Sequence, residues 1–142
     1  MQINFVRLDA EMNIPRPAHG GDAAIDLQTR VDVTLEPGQR VSVPTGLKVA
    51  IPPGYAGLVL PRSGNAARHG IGVVNGPGLV DSGYRGEINV LLINHGAEAV
   101  VFGRGERIGQ LAIVPIPEIE WVERDTLEDT ERGSGGFGST GS

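Results

Sequence analysis

Glycine and proline interrupt this chain at short intervals. Turn signals stand at Glu36-Pro37-Gly38, Pro44-Thr45-Gly46, Pro52-Pro53-Gly54, Asn94-His95-Gly96 and Gly103-Arg104-Gly105, within a total of 22 Gly and 10 Pro. Glycine supplies the positive φ of tight turns, and proline does not continue a helix or a central strand. Many short elements are therefore expected rather than a few long ones. Between the turns, Arg30–Leu35 and Arg40–Val43 alternate polar and apolar residues with period two, as half-buried strands do. Tyr55–Leu60 reads as an apolar strand. Glu87–Ile93 begins with the alternation and ends in a continuous apolar run, which suits a strand covered on both faces, for instance at a subunit interface. Aromatics make up only 4% of the chain, so the core must be mostly Val, Ile and Leu, side chains that fit a pleated surface. The pattern points to a single all-β domain: a sandwich, jelly roll or barrel. Only Ser63–His69 reads as helical.

Past Trp121 the pattern stops. Residues 123–131 are charged and lack an apolar stripe, so they read as a connector. Residues 132–142 form a Gly/Ser-rich tail expected to be flexible.

The formal net charge of -5 argues against bulk electrostatic binding of nucleic acid or an anionic membrane. A phosphate-bearing ligand would have to be held by locally placed cations, backbone amides or a metal. Of the 12 basic residues only Lys48 is a lysine. Arginine suits bidentate phosphate contacts. The absence of Cys excludes disulfides, thiolate zinc sites and thiol nucleophiles. Neither a signal-peptide layout nor a bilayer-length apolar run is seen, which makes a cytoplasmic protein the expectation.

Among candidate motifs, there is no Walker-type phosphate loop and no His-Glu-x-x-His. His19, His69 and His95 are far apart, each beside a glycine, with no zinc-like spacing. Gly133-x-Gly135-x-x-Gly138 matches the dinucleotide fingerprint in letters, but lacks the strand before it and the helix after it. Its company is more telling: Arg132 is a phosphate-capable cation and Phe137 a stacking ring in an otherwise featureless run. Pro61-Arg62-Ser63-Gly64 combines a guanidinium, a hydroxyl and free amides, a combination that binds anions; Ser63 as a helix cap is the plain alternative. Asn75–Glu87 reads as a tightly bent hairpin presenting Asp81, Tyr84 and Arg85; an ordinary surface hairpin is the alternative. Asp22 and Asp26 flank three apolar residues. Gly105–Leu111 reads on its own as the start of a strand.

In order, these segments resemble the five motifs of the trimeric dUTPases (deoxyuridine triphosphate nucleotidohydrolases). Asp22-Ala23-Ala24-Ile25-Asp26-Leu27 is similar to the first and Pro61-Arg62-Ser63-Gly64-Asn65-Ala66 to the second. Gly78–Glu87 is similar to the third, Gly105-Glu106-Arg107-Ile108-Gly109-Gln110 to the fourth, and Arg132–Gly141 to the fifth. The resemblance spans nearly the whole chain. Ala24 stands where the family usually has Gly, and Asn65 where it commonly has Leu, which bears on local packing.

The resemblance implies an all-β jelly-roll or distorted-barrel subunit with one short helix and a flexible C-terminal arm, assembled as a homotrimer with shared active sites. Residues 1–122 would form the catalytic domain, and 123–142 the connector and a Gly-rich lid. The implied reaction is hydrolysis of dUTP to dUMP and pyrophosphate with Mg²⁺, limiting uracil in DNA and supplying dUMP for thymidylate synthesis. Asp81 would be the general base that activates water. Arg62, Ser63, Gly64 and Gln110 would hold the phosphates, and Asp26 would position water ligands of the magnesium ion. Backbone groups around Asn75, Gly78, Leu79 and Val80 would read uracil, and Tyr84 would pack against the deoxyribose. Arg132 would reach the γ-phosphate while Gly136, Phe137, Gly138 and Ser139 close over the nucleotide. Two rivals share the scaffold. The dCTP deaminases use a Glu where alignment places Leu91, and lack the tail. A non-catalytic trimeric binding module would have lost Asp81 or the tail, and this chain keeps both.

Overall fold

A computed structural model describes residues 1–134. The sequence-predicted positions Gly136, Phe137, Gly138 and Ser139 lie outside the described residues. Within the described residues, eleven short strands and one helix follow one another along the chain. They are β1 (Asn4–Arg7), β2 (Ala24–Gln28), β3 (Val33–Leu35), β4 (Arg40–Pro44), β5 (Leu47–Ala50), β6 (Tyr55–Leu60) and α1 (Ser63–His69). Then come β7 (Ile71–Val73), β8 (Gly78–Val80), β9 (Asn89–Asn94), β10 (Val100–Phe102) and β11 (Arg107–Pro115). All pairing is antiparallel, in a four-stranded sheet β2-β11-β6-β8, a three-stranded sheet β4-β9-β7, and the pairs β1-β5 and β10-β3. The result is the expected all-β, jelly-roll-like subunit. Among the described residues no helix is long and apolar enough to cross a membrane.

The turn glycines do what the spacing demands: Gly38, Gly46, Gly54 and Gly105 all have positive φ. Gly96 is required for a different reason, since a Cβ there would stand 2.6 Å from the His69 carbonyl oxygen. The helix ends at Gly70, whose left-handed conformation (φ 67°) returns its N–H to the Ala66 carbonyl.

The core is aliphatic and drawn from both larger sheets: Leu27, Val59, Val80 and Leu111 on one side, Val43, Ile71, Val90 and Leu92 on the other, with Leu35, Phe102 and Ile108. Among the described residues two polar side chains, Thr29 and Asn94, are fully enclosed. Asn94 donates to the carbonyls of Leu35 (2.9 Å) and Glu98 (2.8 Å) and accepts from the Gly96 amide (2.8 Å), which satisfies its amide without water.

Two expectations need correction. The Arg30–Leu35 strand is confined to β3, because Arg30 and Thr29 are drawn into other bonds: Arg30 into an ion pair, and Thr29 Oγ1 into donation to the Val31 carbonyl at 2.6 Å. Within one chain β9 alternates buried and exposed residues and leaves Leu91 at the surface. The segment Asn75–Glu87 bends sharply through a cis Gly76-Pro77 bond, but it is not a paired hairpin. Its first limb, β8, pairs with β6, whereas the chain beyond Glu87 enters β9 between β4 and β7. Residues 116–134 contain no strand or helix and expose Ile119, Trp121 and Leu127.

The loop between β1 and β2 is tied down by Arg104, which donates to Asp9 Oδ2 (2.6 Å) and Glu11 Oε2 (2.9 Å). Hydrogen bonding from Arg104 holds the Asp9 carboxyl below its ordinary value of 3.8. The stabilisation is therefore present above that value and lost as pH falls through the lowered one.

β6 is central to the four-stranded sheet, and Gly57 is its tightest point. A Cβ there would stand 2.9 Å from Ile51 Cδ1, 3.0 Å from Leu111 Cδ1 and 3.2 Å from Val80 Cβ. Gly57→Ala is expected to destabilise the fold by about 1–3 kcal/mol through overpacking, read as a lower urea midpoint. An unchanged midpoint would show that the packing yields freely.

Candidate functional site

Strand pairing puts three motifs side by side. Gln110 on β11 lies opposite Asp26 on β2 and opposite Leu60 on β6. Arg62 follows two residues after Leu60, at the threshold of α1. Its Nε donates to Asp26 Oδ1 at 2.7 Å, and Arg107 Nη1 donates to Asp26 Oδ2 at 3.2 Å. One carboxylate thus sits between two guanidinium groups. Gln110 Nε2 donates to the Pro61 carbonyl at 2.8 Å; an amide carries two N–H donors, so one is left for a ligand. The register of β11 on β2 shifts between Arg107 and Gly109. Such a bulge re-aims side chains next to a site.

Asn65, one of the two departures from the motif pattern, is buried on α1 and donates from Nδ2 to the Arg107 carbonyl at 3.0 Å. This bond gives the buried amide nitrogen a partner and joins the second motif to the fourth. Around these groups opens a cavity of about 550 Å³. Arg62, Ser63, Gly64, Asp26 and Gln110 line it, as expected from the sequence, and so do His19, Asp22, Arg68 and Arg107. The sequence reading missed His19, Arg68 and Arg107 as cavity residues. Arg107 lay inside a quoted motif, but nothing in its spacing indicated that it would share Asp26 with Arg62.

A second cavity, of about 250 Å³, is lined by Asn75, Gly78, Leu79, Val80, Asp81, Tyr84, Glu87 and Leu91, among others. Here the two limbs of the bent segment diverge. Asp81 is exposed at the end of β8. The Tyr84 hydroxyl donates to the Glu87 carbonyl at 2.8 Å, which fixes the ring. A Cβ on Gly86 would collide with that hydroxyl, so glycine is needed for the close approach. Glu87 anchors the whole segment. Arg30 donates to both its carboxylate oxygens (2.8 and 3.1 Å), and the Gly46 amide donates to Oε1 at 2.7 Å.

The two cavities do not merge within one chain. β8 runs antiparallel to β6, with Val80 opposite Gly57 and Gly78 opposite Val59. Asp81 therefore lies near the start of β6 while Arg62 lies beyond its end. At roughly 3.3 Å per residue, the separation is about 20 Å. Arg132 is exposed in the turn at residues 131–134 and lines neither cavity.

The sequence profile of the dUTPase family matches residues 10–141. The chain belongs to the dUTPase family. A deoxyuridine 5'-triphosphate nucleotidohydrolase of Gloeobacter violaceus is 54% identical over 99% of this chain and 97% of its own length. The dUTPase of Staphylococcus bacteriophage 80alpha, solved with dUPNHPP, superposes with a TM-score of 0.92 at 28% identity, over 99% of each chain. A point mutant of the dUTPase from phage phi11 of S. aureus, described with a structural Mg(II) ion, shares the fold at 23% identity and a TM-score of 0.83, over 91% of this chain and all of that one.

For a family member, the donor set in the larger cavity is informative. Among the described residues no three His, Asp or Glu side chains converge as a metal cage. Asp26 gives both oxygens to arginines, yet each carboxylate oxygen keeps a second lone pair for a water. A hard cation that takes most of its oxygens from phosphate and water fits such a site; an all-protein metal cage does not.

Removing the anchor of the bent segment should be visible in solution. Glu87→Ala strands Arg30 and the Gly46 amide and is expected to cost about 1–3 kcal/mol, measured as a fall in the thermal midpoint. A midpoint equal to that of the parent would mean that the segment is held by something else.

Proposed function

We propose that this chain hydrolyses dUTP to dUMP and pyrophosphate, as its relatives' names describe for them. One observation carries the reading. Two cavities of complementary chemistry contain every described candidate residue except Arg132: guanidinium, hydroxyl and amide donors in one, a carboxylate beside a fixed ring and strand backbone in the other. On one chain they lie about 20 Å apart by strand geometry, too far for a single nucleotide to join them. A homotrimer in which one copy's Asp81 cavity faces another copy's Arg62 cavity resolves this, and we infer that assembly.

In the assembled site, Asp81 accepts the proton of a water that attacks the α-phosphorus. The bond to the bridging oxygen breaks and pyrophosphate leaves. A carboxylate in that role needs the water held in line more than it needs a shifted pKa. Arg62, Ser63, Gly64 and Gln110 hold the phosphate chain. Asp26, whose carboxylate oxygens each keep a lone pair free, would help to hold a magnesium ion at the phosphates, and the ion would supply neutralisation of the phosphate charge. Backbone groups at Asn75, Gly78, Leu79 and Val80 pair with the uracil edge. Cytosine reverses that donor–acceptor pattern and would leave buried groups unpaired, which is costly. Tyr84, its hydroxyl already engaged by Glu87, packs against the deoxyribose and leaves no room for a 2′-hydroxyl. At the position where the deaminase relatives carry a glutamate, the same cavity offers Leu91, which has no titratable group. Residues 123–142 act as connector and lid, with Arg132 toward the γ-phosphate and Phe137 over the uracil. The enzyme works in the cytoplasm, where deoxynucleotides are handled.

The deciding assay is pyrophosphate release from dUTP, dTTP, dCTP and UTP side by side, with and without magnesium. Selective, magnesium-dependent release from dUTP is expected. In the same assay Asp81→Asn should lose turnover by roughly a thousandfold or more while still binding dUTP; normal turnover would remove Asp81 from the base role. Deleting residues 132–142 should leave the thermal midpoint in place and cut the rate sharply. Full activity of the shortened chain would rule out a lid.

A further inference from the structure

We propose that Arg68 is a further phosphate-binding residue, one that holds the pyrophosphoryl portion of the substrate. The inference rests on the dUTP reading and extends its phosphate half. Arg68 lies in the last turn of α1, where a cation ordinarily complements the carbonyl end of a helix. Its head group does not go there. Side chains on a helix lean toward the N-terminus and overlie the residue four positions earlier, which for Arg68 is Gly64. A Cβ on Gly64 would stand 3.0 Å from Arg68 Nη2, so the guanidinium lies across the bare α-carbon of the second-motif glycine. It is thereby carried back into the cavity that Arg62, Ser63 and Gln110 line.

Its charge is also unspent. Arg62 and Arg107 share the Asp26 carboxylate, whereas Arg68 makes no hydrogen bond or ion pair within the described residues. Asp22, the other acid lining the cavity, accepts from the His19 amide at 2.7 Å and is not within ion-pair distance of Arg68. An exposed arginine that packs on a glycine and faces a cavity rather than an acid is placed for a ligand anion. The pyrophosphoryl group is the most highly charged part of the substrate, and charge-assisted, fork-like contacts are what a guanidinium makes with phosphate oxygens. This also gives glycine at position 64 a role beyond backbone freedom: it is the floor over which the arginine passes.

The test uses Arg68→Met, which keeps the length of the stem and removes the charge, with Arg68→Lys as the conservative partner. Calorimetric titration with inorganic pyrophosphate is the primary readout. Binding to Arg68→Met should be weaker by about tenfold or more, the loss of one charge-assisted contact, and partly restored in Arg68→Lys. The thermal midpoint should stay unchanged in both, because Arg68 has no hydrogen-bond or ion-pair partner among the described residues. With dUTP, KM should rise in Arg68→Met while dUMP affinity and the preference for dUTP over dCTP stay as in the parent. Equal pyrophosphate affinity in parent and Arg68→Met, no pyrophosphate binding to the parent, or equal weakening of dUTP and dUMP would each overturn the assignment. A parent chain that bound pyrophosphate through Arg68 yet released none from dUTP would instead refute the proposed reaction and leave Arg68 standing as an anion ligand.

Discussion

The position of β11 between β2 and β6 is the constraint on which the rest depends. Pairing on both edges places Asp26, Gln110 and the entry to α1 in one row, although they are distant in the chain. None of the three could be held there by local structure. The bond from Gln110 to the Pro61 carbonyl and the bridge of Asp26 between Arg62 and Arg107 are consequences of that register. A slip of one residue would turn every one of these side chains to the opposite face.

The same sheet also keeps the carboxylate away from the arginines. β8 pairs with β6 in the sense that carries Asp81 toward the far end. Within a chain, the candidate phosphate-binding groups and the candidate base are held apart by strand pairing. Binding a nucleotide is then the natural occasion for two copies to contribute opposite halves of one site. In the proposed trimer, activity would depend on assembly, since neither half has enough groups to do the chemistry alone.

Two supports lie just outside the reacting groups. Arg30 and Gly46 hold Glu87, and the Glu87 carbonyl in turn holds Tyr84. Asn65 holds α1 against the start of β11. Both are hydrogen-bonded links from a loop or helix to a strand, and each makes a position outside the sheets as well defined as the strand it is tied to. Asn65 is the instructive one, because a polar residue at a buried position turns out to donate to the Arg107 carbonyl of another motif.

Much was legible in the residues themselves. Turn glycines, alternating strands and the brief helix Ser63–His69 are all local signals: they depend on φ preference and on side-chain period, which neighbours in sequence express directly. Asp81, Arg62 and Gln110 could be nominated because five segments, taken in order, resemble the dUTPase motifs. Their distribution between two cavities could not, because it depends on which strands pair and in what register, a matter of long-range packing. Arg68 and Arg107 went unread for the same reason. Their meaning comes from where a side chain ends, over Gly64 or beside Asp26, and only the folded chain decides that. Sequence determined which groups are available; tertiary structure decided which of them meet, since contacts between distant strands carry no local signature.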